Sequence, residues 1–335
     1  MKNIQRHTYR FEKGVFIIGG SAVVGPKEGK TPLGSEFDKV CPALRGTEHT
    51  WEDSEIRMQK EAVALLLEKI GKKESDLDLL CGGDLIDQLT VTNFAAKEKD
   101  IPFLGLYNAC ATMAEGLLLS SALIHGGFIG DAVVVASSHN ATSERQYRNP
   151  TELGAKRPPS SQWTVSGAGA MALSDKKESV GIRIVAGTVG RVIDYGCKDP
   201  CDMGAAMAPA AADTIEKHLN GRSITEFDLI CTGDLGKRGH ELLCALLEKD
   251  GIMTDERFQD SGIWMYSCEN DVCCGASGAG CSASLWSSYL IHCLEQGKYR
   301  RVLLVGTGAL LSAVSVGQGR TIPAVAHAVE IVKEE

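Results

Sequence analysis

Cys110 stands in Asn108-Ala-Cys110-Ala, where an apolar run (Ile101 to Tyr107) gives way to a helical pattern (Ala111 to His125). A thiol at a helix N-terminus meets free backbone N–H groups and the positive end of the helix dipole, which favour thiolate. Such a group is an acyl-accepting nucleophile when a base and an oxyanion site accompany it. A small buried residue fits the same position, and the chain carries 12 cysteines. Cys281, in Ala279-Gly-Cys281-Ser, opens a second helical pattern in the same way. The candidate bases are histidines. His125, His218 and His292 fall inside helical patterns and read as surface or packing residues. His139 follows the run Ala132–Ala136 in Ser137-Ser-His139-Asn140, at the edge where open α/β sheets place ligands. His327 lies in the last strand-like run, Ile322 to Val332. For both, a structural histidine and a ligand contact stay open.

The elements that would position these residues are repeated. Asp78-Leu-Leu-Cys-Gly-Gly-Asp84-Leu85 recurs 150 positions later as Asp228-Leu-Ile-Cys-Thr-Gly-Asp234-Leu235. The same offset pairs Glu52 with Asp202, Ala62 with Ala212 and Asp76 with Glu226. It also superposes two helix-period segments, about 51–70 and 201–220. The strands Leu79–Cys81, Phe103–Leu106 and Ala132–Ala136 are short, apolar on both faces and separated by helical stretches, a pattern of parallel strands covered on both sides. The predicted architecture is therefore α/β: two similar halves, 1–180 and 181–335, with Gly167–Leu173 and Ile182–Val189 as strands at the seam. The polar segment Thr142 to Thr164 is longer than an ordinary connection, which favours a cover over the site or a disordered stretch.

Composition excludes several functions. With 35 basic against 43 acidic residues the net charge is −8, which argues against a nucleic-acid groove but not against a small anion held by a few donors. No apolar run approaches the ~18 residues of a spanning helix. Met1 to Lys13 is charged throughout and reads as no signal peptide, so the chain is expected to be soluble. The cysteines read as reduced thiols; Cys197-x-x-x-Cys201 and Cys273-Cys274 lack the rhythm of a zinc site, and no phosphate-binding glycine loop occurs, so neither metal nor cofactor is expected.

Two α/β halves with a cysteine at the first elbow resemble the thiolase superfamily. Gly25-Pro-Lys, Pro32-Leu-Gly-Ser35, Ser137-Ser-His-Asn-Ala-Thr142 with Glu144-Arg-Gln146, Pro150-Thr-Glu152, Asp202-Met-Gly204, Met207-Ala-Pro-Ala-Ala-Ala-Asp-Thr-Ile215 and Gly306-Thr-Gly-Ala-Leu-Leu-Ser312 resemble the stage V sporulation protein AD family over nearly the whole chain. The resemblance implies a thiolase-like fold with αβαβα layers and a pseudo-twofold. It implies a soluble component of the machinery that moves dipicolinic acid into or out of spores, binding it free or with calcium without transforming it. Its implied partners are membrane subunits of the stage V sporulation A complex at the spore inner membrane, and a second copy in a homodimer.

The residues bear on the non-catalytic expectation. The histidine of ketoacyl synthases would fall at Gly233, that of degradative thiolases at Ser277, and the synthase asparagine at Ala279. Cys110 is kept while these partners are lost, so Claisen chemistry lacks its proton shuttle. The alternative is a Cys110-dependent acyltransferase or condensing enzyme acting on acyl-CoA, with His139 or His327 as substitute base. For a flat pyridine with two carboxylates, the retained cleft would offer Cys110, Ser137, His139, Thr307, Gly308 and His327. Arg145 is the preferred cation and Arg148 reads more as solvated loop charge. Asp84 and Asp234, after equivalent strands, read as caps of the following loops rather than calcium ligands.

Overall fold

The computed structural model describes residues 7–177, 181–267 and 272–334. The first half runs β1 (Phe16–Val24), α1 (Trp51–Ile70), β2 (Leu79–Gly83), α2 (Thr90–Ala96), β3 (Phe103–Gly105), α3 (Thr112–His125), β4 (Asp131–Ser138), the inserted helix α4 (Asn140–Tyr147) and β5 (Gly167–Ser174). The second runs β6 (Ile182–Thr188), α5 (Met203–Leu219), β7 (Leu229–Thr232), α6 (Gly236–Lys249), β8 (Phe258–Asp260), α7 (Ala279–Leu285), β9 (Arg301–Ala309) and β10 (Ala324–Lys333).

Local chemistry sets the helix ends. Thr50 accepts the Asp53 N–H while the Asp53 carboxylate accepts the Thr50 N–H, a reciprocal cap, and Gly71 at φ 64° closes α1. Asp202 caps α5 by accepting from Ala205 N–H, and Asn220 at φ 44° ends it. Met58, Ala62, Leu66 and their neighbours form the buried stripe of α1.

The strands join in one twelve-stranded sheet whose main path is β8-β7-β9-β10-β6-β1-β5-β4-β2-β3. Counted outward from the contact of β1 with β6, both halves list their strands in the same order. The sheet is mixed; the three strands expected to be parallel, β2, β3 and β4, are so. β2 runs parallel to β3 and β4, and β7 to β8 and β9, but β5 and β10 are antiparallel to both neighbours. The connections into β5 and β10 do not cross over the sheet, so the chain returns in the opposite sense. The seam differs from the expected one. It joins β6 to β1 through Ile182↔Ile17 and Arg183↔Phe16, and β5 lies one strand further in. The expected boundary at 180/181 adjoins residues 178–180, outside the described residues.

Layering follows from what each helix covers. α1 packs on β1, β5 and β4, α5 on β9 and β10, and α3 with α7 lies between the two parts of the sheet, α3 touching β4 and β9 alike. The five layers α/β/α/β/α have one apolar core in the centre and one under each outer helix. The segment expected as an open loop begins instead as α4, because the His139 ring nitrogen accepts the Ala141 N–H and caps it. Its far end is tied to the second half, where Trp163–Thr164 pairs with Ala276–Ser277.

Candidate functional site

The elbow carrying Cys110 is built by close approach. Ala109 sits at φ 49°, a left-handed conformation that a side-chain-bearing residue rarely adopts, and turns the chain from β3 into α3. Directly beneath runs β9. A Cβ on Gly308 would lie 2.8 Å from the Asn108 carbonyl oxygen, and one on Gly306 would lie 2.5 Å from Ala114 Cβ. The glycines of Gly306-Thr-Gly308 therefore let the elbow settle on the strand.

A carboxyl group bears on the thiol through its charge: Asp234, buried at the turn after β7. Its Oδ2 accepts the Gly278 N–H at 2.8 Å, and its Oδ1 accepts the Thr307 hydroxyl at 2.9 Å. Burial pushes its carboxyl up to about 7, against the pull of these bonds. The Cys110 thiol is pushed well above its ordinary value, first by burial and then by the Asp234 charge. The thiolate expected from the helix N-terminus is thus reversed: desolvation and an adjacent acid outweigh the dipole. Among the described residues no imidazole is bonded to this sulfur.

The seven candidate residues separate. Cys110 lines the cleft. Thr307 reaches it only through Asp234, and Gly308 only by leaving room for the elbow. His327 accepts the Gly190 N–H at Nδ1 and meets the Asn108 side-chain amide at 2.9 Å through Nε2, so it braces the elbow from below. Burial lowers its pKa to about 4. Ser137 and His139 lie elsewhere. Ser137 donates to Glu55 Oε1 at 2.8 Å; His139 meets the Leu44 carbonyl and stacks near Trp51. Alternation along β4 is the reason: Ser137 and His139 turn toward α1, and the intervening Ser138 turns inward to accept the Gly280 N–H. Arg145 is half exposed and pairs with Glu52. One turn on, Arg148 is buried and holds Glu144 through Nε at 3.0 Å and Nη2 at 2.7 Å, which reverses the expected roles of the two arginines. Asp84 does serve its own loop, accepting from Ile86 and Thr92. Asp234 does not.

The cleft has a small and a large chamber. The small one, about 40 Å³, is bounded by Cys110, Ser143, Tyr147, Arg148, Ser277 and Gly278 among others. The Ser143 and Ser277 hydroxyls are buried there without a hydrogen-bond partner. Tyr147 and Arg148 also belong to the large chamber, about 480 Å³, with Glu144, Lys156, Arg157, Trp163 and Cys201. Arg157 lies 4.2 Å from the Trp163 ring centroid and 3.4 Å from Glu144. The lining of this chamber thus holds three cations, one carboxylate and an indole. Arg157 and Trp163 carry no sequence signal that separates them from ordinary loop residues; the Glu144–Arg148 spacing of one helical turn is the signal for that pair. No cluster of three or more His, Cys, Asp or Glu able to hold a metal ion occurs among the described residues.

A family model described as stage V sporulation protein AD matches residues 5–332. Stage V sporulation protein AD of Bacillus subtilis is 41% identical over 331 residues, covering 98% of this chain and 97% of that protein. Among solved structures, 3-oxoacyl-[acyl-carrier-protein] synthase III of Aquifex aeolicus superposes with a TM-score of 0.57 at 13% identity, covering 95% of this chain and 100% of its own. Cerulenin-bound OleA of Xanthomonas campestris gives 0.60 at 13% identity, covering 97% and 100%. At such identities these two likenesses concern the fold, which is the thiolase-like one.

Proposed function

The chain belongs to the stage V sporulation protein AD family, and we propose that its part in sporulation is the non-catalytic binding of dipicolinic acid, free or as the calcium chelate, for uptake or release. The observation that carries this reading is the pair of partnerless buried hydroxyls, Ser143 and Ser277, opening beside a chamber with surplus positive charge. Buried polar groups without partners are costly, and a carboxylate satisfies hydroxyls as an acceptor. Arg148 and Arg157 supply charge-assisted donors for a dianion, and Trp163 an apolar face for a flat ring. A chamber of about 480 Å³ is within the usual range for a small ligand. Lack of a base on Cys110 agrees with binding rather than turnover.

No helix among the described residues is long and apolar enough to cross a membrane. We accordingly infer a peripheral position at the spore inner membrane, held by membrane subunits of the stage V sporulation A complex, with a homodimer as the assembled form. The shared strand order supports reading 1–180 and 181–335 as duplicated halves.

Calorimetry tests the reading. Dipicolinate should release or absorb heat on mixing with the protein, with or without calcium, and Arg157→Ala should weaken binding roughly tenfold or more, as expected for loss of a charged hydrogen bond. Absence of heat under both conditions sinks it.

A further inference from the structure

We propose that Glu144 is an internal competitor for the anion this cleft takes: its carboxylate occupies the Arg148 fork that a ligand carboxylate needs, so binding is an exchange in which Glu144 gives up Arg148. The pair is made within one helical turn. Arg148 directly follows α4, and its N–H closes the last turn on the Glu144 carbonyl at 2.9 Å. Four residues apart, the two side chains meet on one face. Arg148 donates from Nε to Glu144 Oε2 at 3.0 Å and from Nη2 to Oε1 at 2.7 Å, the two-pronged contact by which arginine recognises carboxylates. Its Nη1 donates to the Pro200 carbonyl at 3.3 Å. All three nitrogens are engaged, and the two side chains are only 8% and 6% exposed. An anion cannot take this fork while Glu144 holds it.

The place of the pair gives the exchange its consequence. Arg148 lines both chambers and Glu144 the large one, while the Thr164 hydroxyl, from the lining of the small one, donates to Glu144 Oε1 at 3.5 Å. The pair thus stands where the two chambers meet, on the way to the partnerless hydroxyls of Ser143 and Ser277. At about 40 Å³ the small chamber admits a carboxylate but no aromatic ring, and it is far below the ~300 Å³ of an ordinary ligand pocket. A ring therefore sits in the large chamber, and the carboxylate it sends toward those hydroxyls passes Arg148. Released from Arg148, Glu144 keeps a cation in reach: Arg157 Nη1 lies 3.4 Å from its Oε1, and Lys156 lines the same chamber. A lone carboxylate would only replace another at Arg148. Three cations and one carboxylate leave a surplus of two positive charges in the lining, which a dianion neutralises and a monoanion does not. For the identity of the ligand this rests on the dipicolinate reading; the competition at Arg148 does not.

Two measurements on the full chain test it. In calorimetry without calcium, Glu144→Gln should bind dipicolinate roughly tenfold or more tighter than the unaltered protein, the size of a charged hydrogen bond that no longer has to be broken. Glu144→Asp keeps the charge but reaches less far toward Arg148, and should fall between the two. A Glu144 that merely holds the chamber in shape has the opposite sign, so weaker or unchanged binding in Glu144→Gln overturns the proposal. The second measurement uses no dipicolinate. Phenylglyoxal labelling of Arg148, mapped by peptide mass spectrometry, should be slow in the unaltered protein and faster in Glu144→Gln. Sulfate should protect Arg148 at a roughly tenfold lower concentration in the variant. Equal sulfate protection in both proteins also overturns the proposal. Heat from dipicolinate in neither protein sinks the binding reading, and the sulfate result then decides the competition alone.

Discussion

A cysteine at the start of a helix is ordinarily easier to ionise, and Cys110 is harder. The residue type and its turn are plain in the chain, but the acid that reverses its chemistry comes from 124 positions later, across the halves. Ser143 and Ser277 show the same separation between identity and role. Each hydroxyl is buried and lacks a partner in the protein, so each carries a desolvation cost. Ser277→Ala should therefore raise the free energy of unfolding by about 1 kcal/mol in urea titrations without ligand. It should also weaken dipicolinate binding severalfold in calorimetry. A loss of stability would mean that the hydroxyl is already satisfied, and would remove its support for the binding site.

Helices and strands are held in place by what they permit to approach. β9 carries Gly306 and Gly308 where α3 and its elbow come closest, and a side chain at Gly306 would meet Ala114 at 2.5 Å. Gly306→Val should cost about 1–3 kcal/mol by overpacking, read as a lower urea midpoint at unchanged slope. Gly317→Ala is the control. It lies at the end of a helix, with nothing within 4 Å of an added Cβ, and should leave the midpoint where it is or raise it slightly. A midpoint for Gly306→Val equal to that of the unaltered chain would show that β9 and α3 can part without loss.

At the scale of the whole molecule, each half carries a histidine that burial keeps neutral near pH 7. His139 caps α4 against α1, and His327 braces the elbow; burial lowers both to about 4 from an ordinary 6.5. The unfolded chain therefore binds more protons than the folded one between these values. Stability is full above about pH 6.5, falls as pH drops through that window, and stops falling from this source below about 4. The loss is roughly 3 kcal/mol for each histidine, from 1.36 kcal/mol per pKa unit. Asp234, raised to about 7, acts in the opposite sense over the same range, so the histidine share is read as a difference: in chemical denaturation at pH 7, 5.5 and 4.5 the stability of the unaltered protein relative to His139→Gln should drop by about 2–3 kcal/mol as pH falls. A difference that does not change with pH would mean that the His139 ring is solvated or already charged.

The sequence by itself determined the repeated pattern, a helix over about 51–70, the family, and the cysteine at its elbow, because periodicity and motifs are local. It could not determine which way strands run when a connection fails to cross over, nor which face of β4 looks at the cleft. Alternation places Ser137 and His139 together and Ser138 opposite, but strands buried on both faces give no polar face to orient that choice. The acid near Cys110 and the company of Arg148 were likewise decided only in the tertiary structure. Hydrogen bonds and buried charge join residues by distance in space, and folding brings Asp234 to the thiol while turning Arg145 away to Glu52.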